Sequence, residues 1–327
     1  MDVYEYCLES KKISLKGLDG KKACFLDIET TGLNRQHSYI YLIGLLYFNK
    51  EKNSWYLRQF FAHHIKNEER LLKEFNSFIK DFDLILSYNG DSFDIPFIEA
   101  RFKKYGICSN LAEVESLDLY KKIKAESPYL DIENLKLKTI EEFVGIYRED
   151  EYSGKDCIEF YNQYIRNGDE GLKEKILQHN FDDLYYLGDI IKIFNHIADV
   201  KKLAIPLDRK EIGIRIEDIK INGDIIKICC NITNLDENVD IIHYDNGFNV
   251  NWQSNSMVID IEVKEGLITP TRKALFIDKL SFPSKIVELR DLSEYVVPDN
   301  VILLKVENKY IMENIKNIIR ELILYVK

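Results

Sequence analysis

Apolar residues follow one period through the first two-thirds of this chain and another through the rest. Ala23 to Ile28 is a short apolar run closing on alternating acids, the pattern of a buried strand whose last residues reach a sheet edge. Thr30-Thr-Gly-Leu33 is the turn that leaves it. Tyr39 to Phe48 and Ser54 to Phe61, rich in β-branched, leucine and aromatic residues, flank Asn49-Lys-Glu-Lys-Asn53 and predict an antiparallel hairpin. Leu71, Leu72, Phe75, Phe78 and Ile79 carry helical spacing over Asn67 to Asp81. Leu84 to Tyr88 returns as a buried strand, and Ile95 to Tyr105 as a helix with Pro96 in its first turn. Helical patterns follow at Leu117 to Ala125, Leu137 to Val144 and Cys157 to Arg166. Glu174 to His196 reads as one long helix. Three strands and then alternating helix and strand predict an α/β fold, a mixed sheet with helices against it.

Near Ala204-Ile-Pro206 the pattern shortens. Strands are expected at Ile212 to Ile221, Ile225 to Ile232, Val239 to Tyr244, Met257 to Val263 and Val301 to Val306, several of them separated by Gly-containing turns. Tyr310 to Tyr325 resembles a terminal amphipathic helix. The expected division is residues 1–204 as the first domain and 205–327 as a small β-rich domain with a C-terminal helix.

Composition narrows the function classes. A chain of 327 residues can hold two cores, and 46% hydrophobic with 31% charged residues is ordinary for a folded soluble protein. The sequence contains no apolar stretch of bilayer-spanning length, and its first residues lack the pattern of a secretory signal. The 6 cysteines form no C-x-x-C pair, and Cys24, Cys229 and Cys230 sit in apolar runs, which suits reduced core residues. A cytoplasmic protein is expected. Net charge is −10, and acids outnumber bases on both sides of Ala204, so any contact with nucleic acid must be a local patch.

Candidate chemistry lies in three motifs. Cys24-Phe-Leu-Asp-Ile-Glu-Thr-Thr-Gly-Leu33 holds Asp27 and Glu29, which point to one face because they are two apart on a strand. Tyr88-Asn-Gly-Asp-Ser-Phe-Asp-Ile-Pro96 holds Asp94, whose bland alternative is an N-cap. Asp91 competes with it, but lies in a Gly-Asp-Ser turn, whereas Phe93 and Ile95 pin Asp94 to the core. His179-Asn-Phe-Asp-Asp-Leu184 holds Asp183, with His179 one helical turn earlier on the same face and Leu187 and Ile190 beyond; Asp182 faces away. Carboxylates drawn inward repel one another and lose hydration, a conflict that hard divalent cations resolve. Two such ions about 4 Å apart clamp the attacking and leaving oxygens of a phosphodiester.

The order Asp-Ile-Glu-Thr-Thr-Gly, then Tyr-Asn with Phe-Asp four and five residues after the Asn, then a helix with a final Asp resembles the DEDD superfamily of 3′–5′ exonucleases. More closely it resembles the YprB-type ribonuclease H-like family. Ser116-Leu-Asp-Leu119, Leu135 to Glu141, Val144 to Asp150 and Gly154 to Tyr161 resemble that family's intervening helices. The resemblance covers roughly residues 20–200. It implies a ribonuclease H-like mixed sheet flanked by helices. It implies Mg²⁺ or Mn²⁺ in a two-metal site on Asp27, Glu29, Asp94 and Asp183. It also implies a DNA or RNA partner, engaged as a single-stranded 3′ end, with Thr30 and Thr31 touching the terminal nucleotide. Asn89 is a further substrate-binding candidate, for a hydrogen bond to a sugar or phosphate, beside its alternative as a turn residue. The superfamily's last motif is Tyr-x-x-x-Asp or His-x-x-x-x-Asp. Here His179 takes the tyrosine's spacing to Asp183, so its role as base stays open beside a structural one. Endonucleolytic cleavage at the same site, and nucleic-acid binding without catalysis, are the alternatives.

Overall fold

The computed structural model describes residues 1–14, 20–148, 152–207, 210–235, 239–286 and 289–327. These form two compact units: residues 1–124 with 132–193, and residues 125–131 with 194–327.

The first unit opens with strands β1 (Asp2–Leu8), β2 (Ala23–Thr30), β3 (Ile40–Asn49) and β4 (Ser54–Phe61). Helix α1 (Glu68–Ile79), strand β5 (Leu84–Ser87), helix α2 (Asp94–Tyr105), strand β6 (Glu115–Asp118) and helix α3 (Leu119–Glu126) follow. Helices α4 (Leu137–Phe143), α5 (Gly154–Asn167) and α6 (Glu170–Ile190) complete the first unit, and α7 (Ile193–Val200) belongs, from Phe194 on, to the second. The sheet order is β1-β4-β3-β2-β5-β6. β2 pairs antiparallel with β3 and parallel with β5, and β5 pairs parallel with β6. This is the mixed, helix-flanked, ribonuclease H-like sheet that the element order predicted.

Strand geometry sends successive residues of β2 to opposite faces. Cys24, Leu26 and Ile28 join the core cluster that contains Leu71, Leu72, Phe75 and Ile79 of α1 and Phe97, Ile98 and Phe102 of α2. Each such fully buried side chain contributes about 1.5–3 kcal/mol. Asp27 and Glu29 fall on the other face, toward α6. A buried ion pair ties the helices to the sheet: Arg101 Nε donates to Glu68 Oε1 at 2.8 Å, and the same oxygen accepts from the Ile40 N–H at 2.7 Å. Between β2 and β3 the register shifts: Glu29 opposes Leu42 and Thr30 opposes Ile40, leaving Tyr41 in a bulge beside the acids. Because β2, β5 and β6 run parallel, their C-terminal ends share one edge, where Asp27, Glu29 and Asp118 lie and where the chain enters α2 at Asp94.

Three details before residue 200 differ from the periodicity. Leu117 and Asp118 belong to strand β6 rather than to the following helix. Strand β1, an edge strand paired among the described residues with β4 alone, has mostly exposed residues and so gives no apolar signal. The expected Glu174–His196 helix is two helices. Ile190 and Ile193 are both fully buried, so the apolar pattern runs through the break, but the Lys192 N–H bonds back only three residues to the Asp189 carbonyl, which closes α6.

The second unit contains β7 (Lys202–Leu207), β8 (Lys210–Asn222), β9 (Ile225–Thr233), β10 (Asp240–Asp245), β11 (Phe248–Gln253) and β12 (Ser256–Glu262). It continues with β13 (Lys264–Leu267), β14 (Lys273–Asp278), β15 (Val301–Val306), β16 (Lys309–Tyr310) and helix α8 (Met312–Val326). β7 to β12 form an antiparallel sheet ordered β10-β11-β12-β9-β8-β7, and the remaining strands form a four-stranded one. Alternating burial along β9 and β11 marks one covered face. Ile228, Ile232 and Trp252 cluster there with Ile315, Ile319 and Leu322 of α8. The pattern change at Ala204 falls inside β7. Asp236 and Glu237, with Glu149 and Asp150 of the motif ending there, lie outside the described residues. No helix among the described residues is long and apolar enough to cross a membrane.

Candidate metal centre

Chain positions far apart meet where the C-terminal end of β2 and the start of α2 face the middle of α6. One carboxylate oxygen each from Asp27, Glu29 and Asp183 lies within 4.8 Å of the others. Asp94 adjoins them as the first residue of α2. It is buried, and its Oδ1 accepts the Ile28 N–H at 3.1 Å, across the backbone link between Asp27 and Glu29.

The electrostatics follow from crowding like charges away from water. Burial, and then the charges of Asp94, Asp183 and Glu29, push the Asp27 carboxyl well above the usual range. Burial and Asp183 do the same to Glu29, with Tyr41 opposing through its hydroxyl, 3.4 Å from Glu29 Oε2. Burial pushes Asp94 up to about 7 against two backbone hydrogen bonds, with Asp118 adding to the rise.

His179 sits between two of the acids, its Nε2 3.6 Å from Glu29 Oε1 and 3.5 Å from Asp183 Oδ2. Its ring is thus held at the carboxylates rather than in solvent. Thr30 Oγ1 donates to the Gly32 carbonyl at 2.9 Å, and Thr31 Oγ1 accepts the Tyr39 N–H at 2.9 Å, so both hydroxyls also shape the turn after β2. Asn89 has φ of 64°, the left-handed region, and donates its N–H to Asp118 Oδ1 at 3.0 Å while its side chain is exposed. Asp91, the competitor to Asp94, accepts from Lys121 Nζ at 2.7 Å.

Several partners of the acids escaped the sequence reading. Arg148 donates through Nη2 to Asp183 Oδ1 at 2.6 Å and through Nε to Glu141 Oε2 at 2.8 Å. Burial disfavours its charge, but Asp183 and Glu141 hold it protonated. It follows α4 without any periodic signal. Asn180, fully buried on α6, donates through Nδ2 to Asp27 Oδ2 at 2.6 Å. Its Oδ1 accepts from Gln59 Nε2 at 2.8 Å, and Gln59 Nε2 also donates to the Leu177 carbonyl at 2.8 Å. The Leu177 carbonyl can only accept, so it requires the Gln59 nitrogen on that side, and this turns the Asn180 oxygen to Gln59 and its nitrogen to Asp27.

The row has a simple origin: Asp27 opposes Gly44, and Gly44 opposes Gln59. A Cβ on Gly44 would lie 2.3 Å from Asn180 Oδ1 and 2.4 Å from Leu184 Cδ1, so the amide occupies space that only glycine leaves. The available signals were a lone Gly inside the apolar run Ile40 to Phe48, and a polar residue on the α6 face shared with Leu184 and Leu187.

A helix-flanked mixed sheet with acids gathered at its parallel edge defines a ribonuclease H-like domain carrying a candidate acidic metal site. Residues 24–195, more than half the chain, match the RNase_H_2 family of the RNase_H superfamily, and the chain belongs to that family. A DNA polymerase of Methanocaldococcus jannaschii is 47% identical over 49 residues, which is 15% of this chain and 3% of the polymerase. The family B DNA polymerase of the archaeon Pyrobaculum calidifontis is similar in structure at 20% identity and a TM-score of 0.43, over 53% of this chain and 24% of that one. The zinc-bound form of an Escherichia coli ExoI–ssDNA complex is similar at 11% identity and a TM-score of 0.35, over 64% of this chain and 54% of that one. This chain spans less than two thirds of the length of each.

Proposed function

We propose that this protein is a metal-dependent nuclease, a 3′–5′ exonuclease that hydrolyses phosphodiester bonds of DNA or RNA from a single-stranded 3′ end. The observation that carries this reading is the approach of Asp27, Glu29 and Asp183 oxygens to within 4.8 Å in a site whose burial and neighbouring charges resist ionisation of Asp27 and Glu29. Such a set suits a hard divalent cation. All the clustered donors are carboxylate oxygens, and a cation would relieve the repulsion that raises Asp27 and Glu29. Asp27, Glu29, Asp94 and Asp183 would hold Mg²⁺ or Mn²⁺. Bound there, the ions would polarise the phosphodiester and stabilise charge on the attacking and leaving oxygens.

The chain's own groups have separate tasks. Asn180 and Gln59 orient Asp27, and the Ile28 N–H orients Asp94. His179, between Glu29 and Asp183, orients or deprotonates the attacking water. Thr30, Thr31 and Asn89, at the turns beside the acids, contact the terminal nucleotide. We assign catalysis to residues 1–204 and a guiding or partner-binding role to residues 205–327, because among the described residues none of the clustered ligands comes from the latter. The six cysteines are all free, which supports a reducing, cytoplasmic setting.

The test is cleavage of end-labelled single- and double-stranded DNA and RNA by the full chain with Mg²⁺, Mn²⁺ or EDTA. Metal-dependent release of mononucleotides from the 3′ end, abolished in Asp27→Asn with the fold intact, is the expected result. Internal fragments would favour an endonuclease using the same acids. A folded protein that cleaves nothing with either metal would overturn the reading.

A further inference from the structure

Cys157, on α5, is fully buried, and the reading above gives it no chemical task. Its Sγ, a carboxylate oxygen of Glu29 and a ring nitrogen of His179 all lie within 4.8 Å of one another. This trio differs in kind from the all-oxygen cluster beside it. Thiolate and imidazole are poor ligands for Mg²⁺ and good ones for Zn²⁺, which takes three protein ligands and keeps a fourth position open. Around Zn²⁺, neighbouring nitrogen and oxygen ligands stand about 3.5 Å apart. His179 Nε2 and Glu29 Oε1 are already 3.6 Å apart.

We propose that Glu29, Cys157 and His179 form a second, overlapping site for a thiophilic divalent cation such as Zn²⁺, and that filling it switches the nuclease off. Entry of the cation forms an S–metal bond and displaces the thiol proton to solvent. The switch follows from sharing. Glu29 turned to this site is withdrawn from the carboxylate cluster, and a coordinated His179 no longer orients water. The inhibitory half of this inference rests on the nuclease reading; the binding half does not.

Both halves can be tested on the full chain. Co²⁺ titration of wild type should give a sulfur-to-metal charge-transfer absorption, and Cys157→Ala should lose it. The difference spectrum between the two removes any signal from exposed Cys7 and Cys108. In cleavage assays with Mg²⁺, Cys157→Ala should act as wild type does but need about tenfold or more free Zn²⁺ for the same inhibition, a factor expected when about 1.4 kcal/mol of binding is lost. Cys157→Ser, which keeps a small polar side chain, should behave alike. An unchanged charge-transfer band or unchanged Zn²⁺ sensitivity in both variants overturns the proposal. Loss of the fold or of Mg²⁺-dependent cleavage in both does so too, because it makes Cys157 structural. If wild type cleaves nothing, the nuclease reading falls while the Co²⁺ band still decides the site. If the band is absent but Asp27-dependent cleavage is present, only the second site falls.

Discussion

Asp94 offers the sharpest test of the carboxylate argument, because its ionisation is resisted chiefly by its own burial. Replacing it with Asn removes the charge and keeps the oxygen that accepts the Ile28 N–H. A carboxyl raised from 3.8 to about 7 costs the folded, metal-free protein on the order of 4 kcal/mol once it is ionised. The folded value lies above the unfolded one, so stability is fully present below about pH 4 and is lost as pH rises through about 7. In EDTA, Asp94→Asn should therefore match wild type near pH 4 and exceed its stability by up to about 4 kcal/mol near pH 8. Urea unfolding can follow this in a Trp252→Phe background, which leaves Trp55 of the first unit as the reporter, since the chain has 2 tryptophans. Mn²⁺ should raise the stability of wild type toward that of the variant and do little for Asp94→Asn, because the ion needs the charge that the variant lacks. A difference that is the same at both pH values, or a variant less stable than wild type near pH 8, would refute the reasoning.

Other consequences are as direct. His179→Ala should lower turnover by about a hundredfold with a smaller change in substrate affinity, measured by single-turnover kinetics; unchanged turnover would leave His179 a structural residue. Arg148→Met leaves Asp183 without that cation and should cost the EDTA-treated protein about 3 kcal/mol. Mn²⁺ should recover part of this loss, so an equal loss with and without Mn²⁺ would show that Arg148 does not act on the metal site. Gln59→Met frees the Asn180 amide to turn its oxygen toward Asp27, and Mn²⁺ affinity, read by electron paramagnetic resonance, should fall about 10- to 100-fold. Affinity equal to wild type would mean that Asp27 needs no such guide.

The sequence made some parts of this molecule legible and hid others for physical reasons. β2, β3, β4, α1, β5 and α2 could be read because each buries a face and so shows a period in apolar residues. The motif acids could be read because charge beside an apolar run is locally anomalous. β1 could not, since an exposed edge strand needs no apolar face, and the end of α6 could not, since burial continues through it. In the second unit β7, β11, β13, β14 and β16 went unread, being short strands whose partners are set by hairpin register. Around the site, Arg148, Asn180 and Gln59 are ordinary polar residues until tertiary contact places them. Their role depends on which strands lie side by side, and that information is carried by pairing rather than by any single segment.

The slot at Gly44 also bears on the order in which the protein assembles. Asp27 and Asn180 are 153 residues apart in sequence, whereas β2, β3 and β4 are joined by short loops. During synthesis the three strands can pair long before α6 has been made, with the space above Gly44 still open and Asp27 still facing water. Only the arrival of α6 fills that space and delivers Asp183 together with the amide that orients Asp27. On the proposed function, tight cation binding would become available late, when the first unit is nearly complete, and a ribosome-bound chain stalled before residue 180 should carry a paired sheet without the ion.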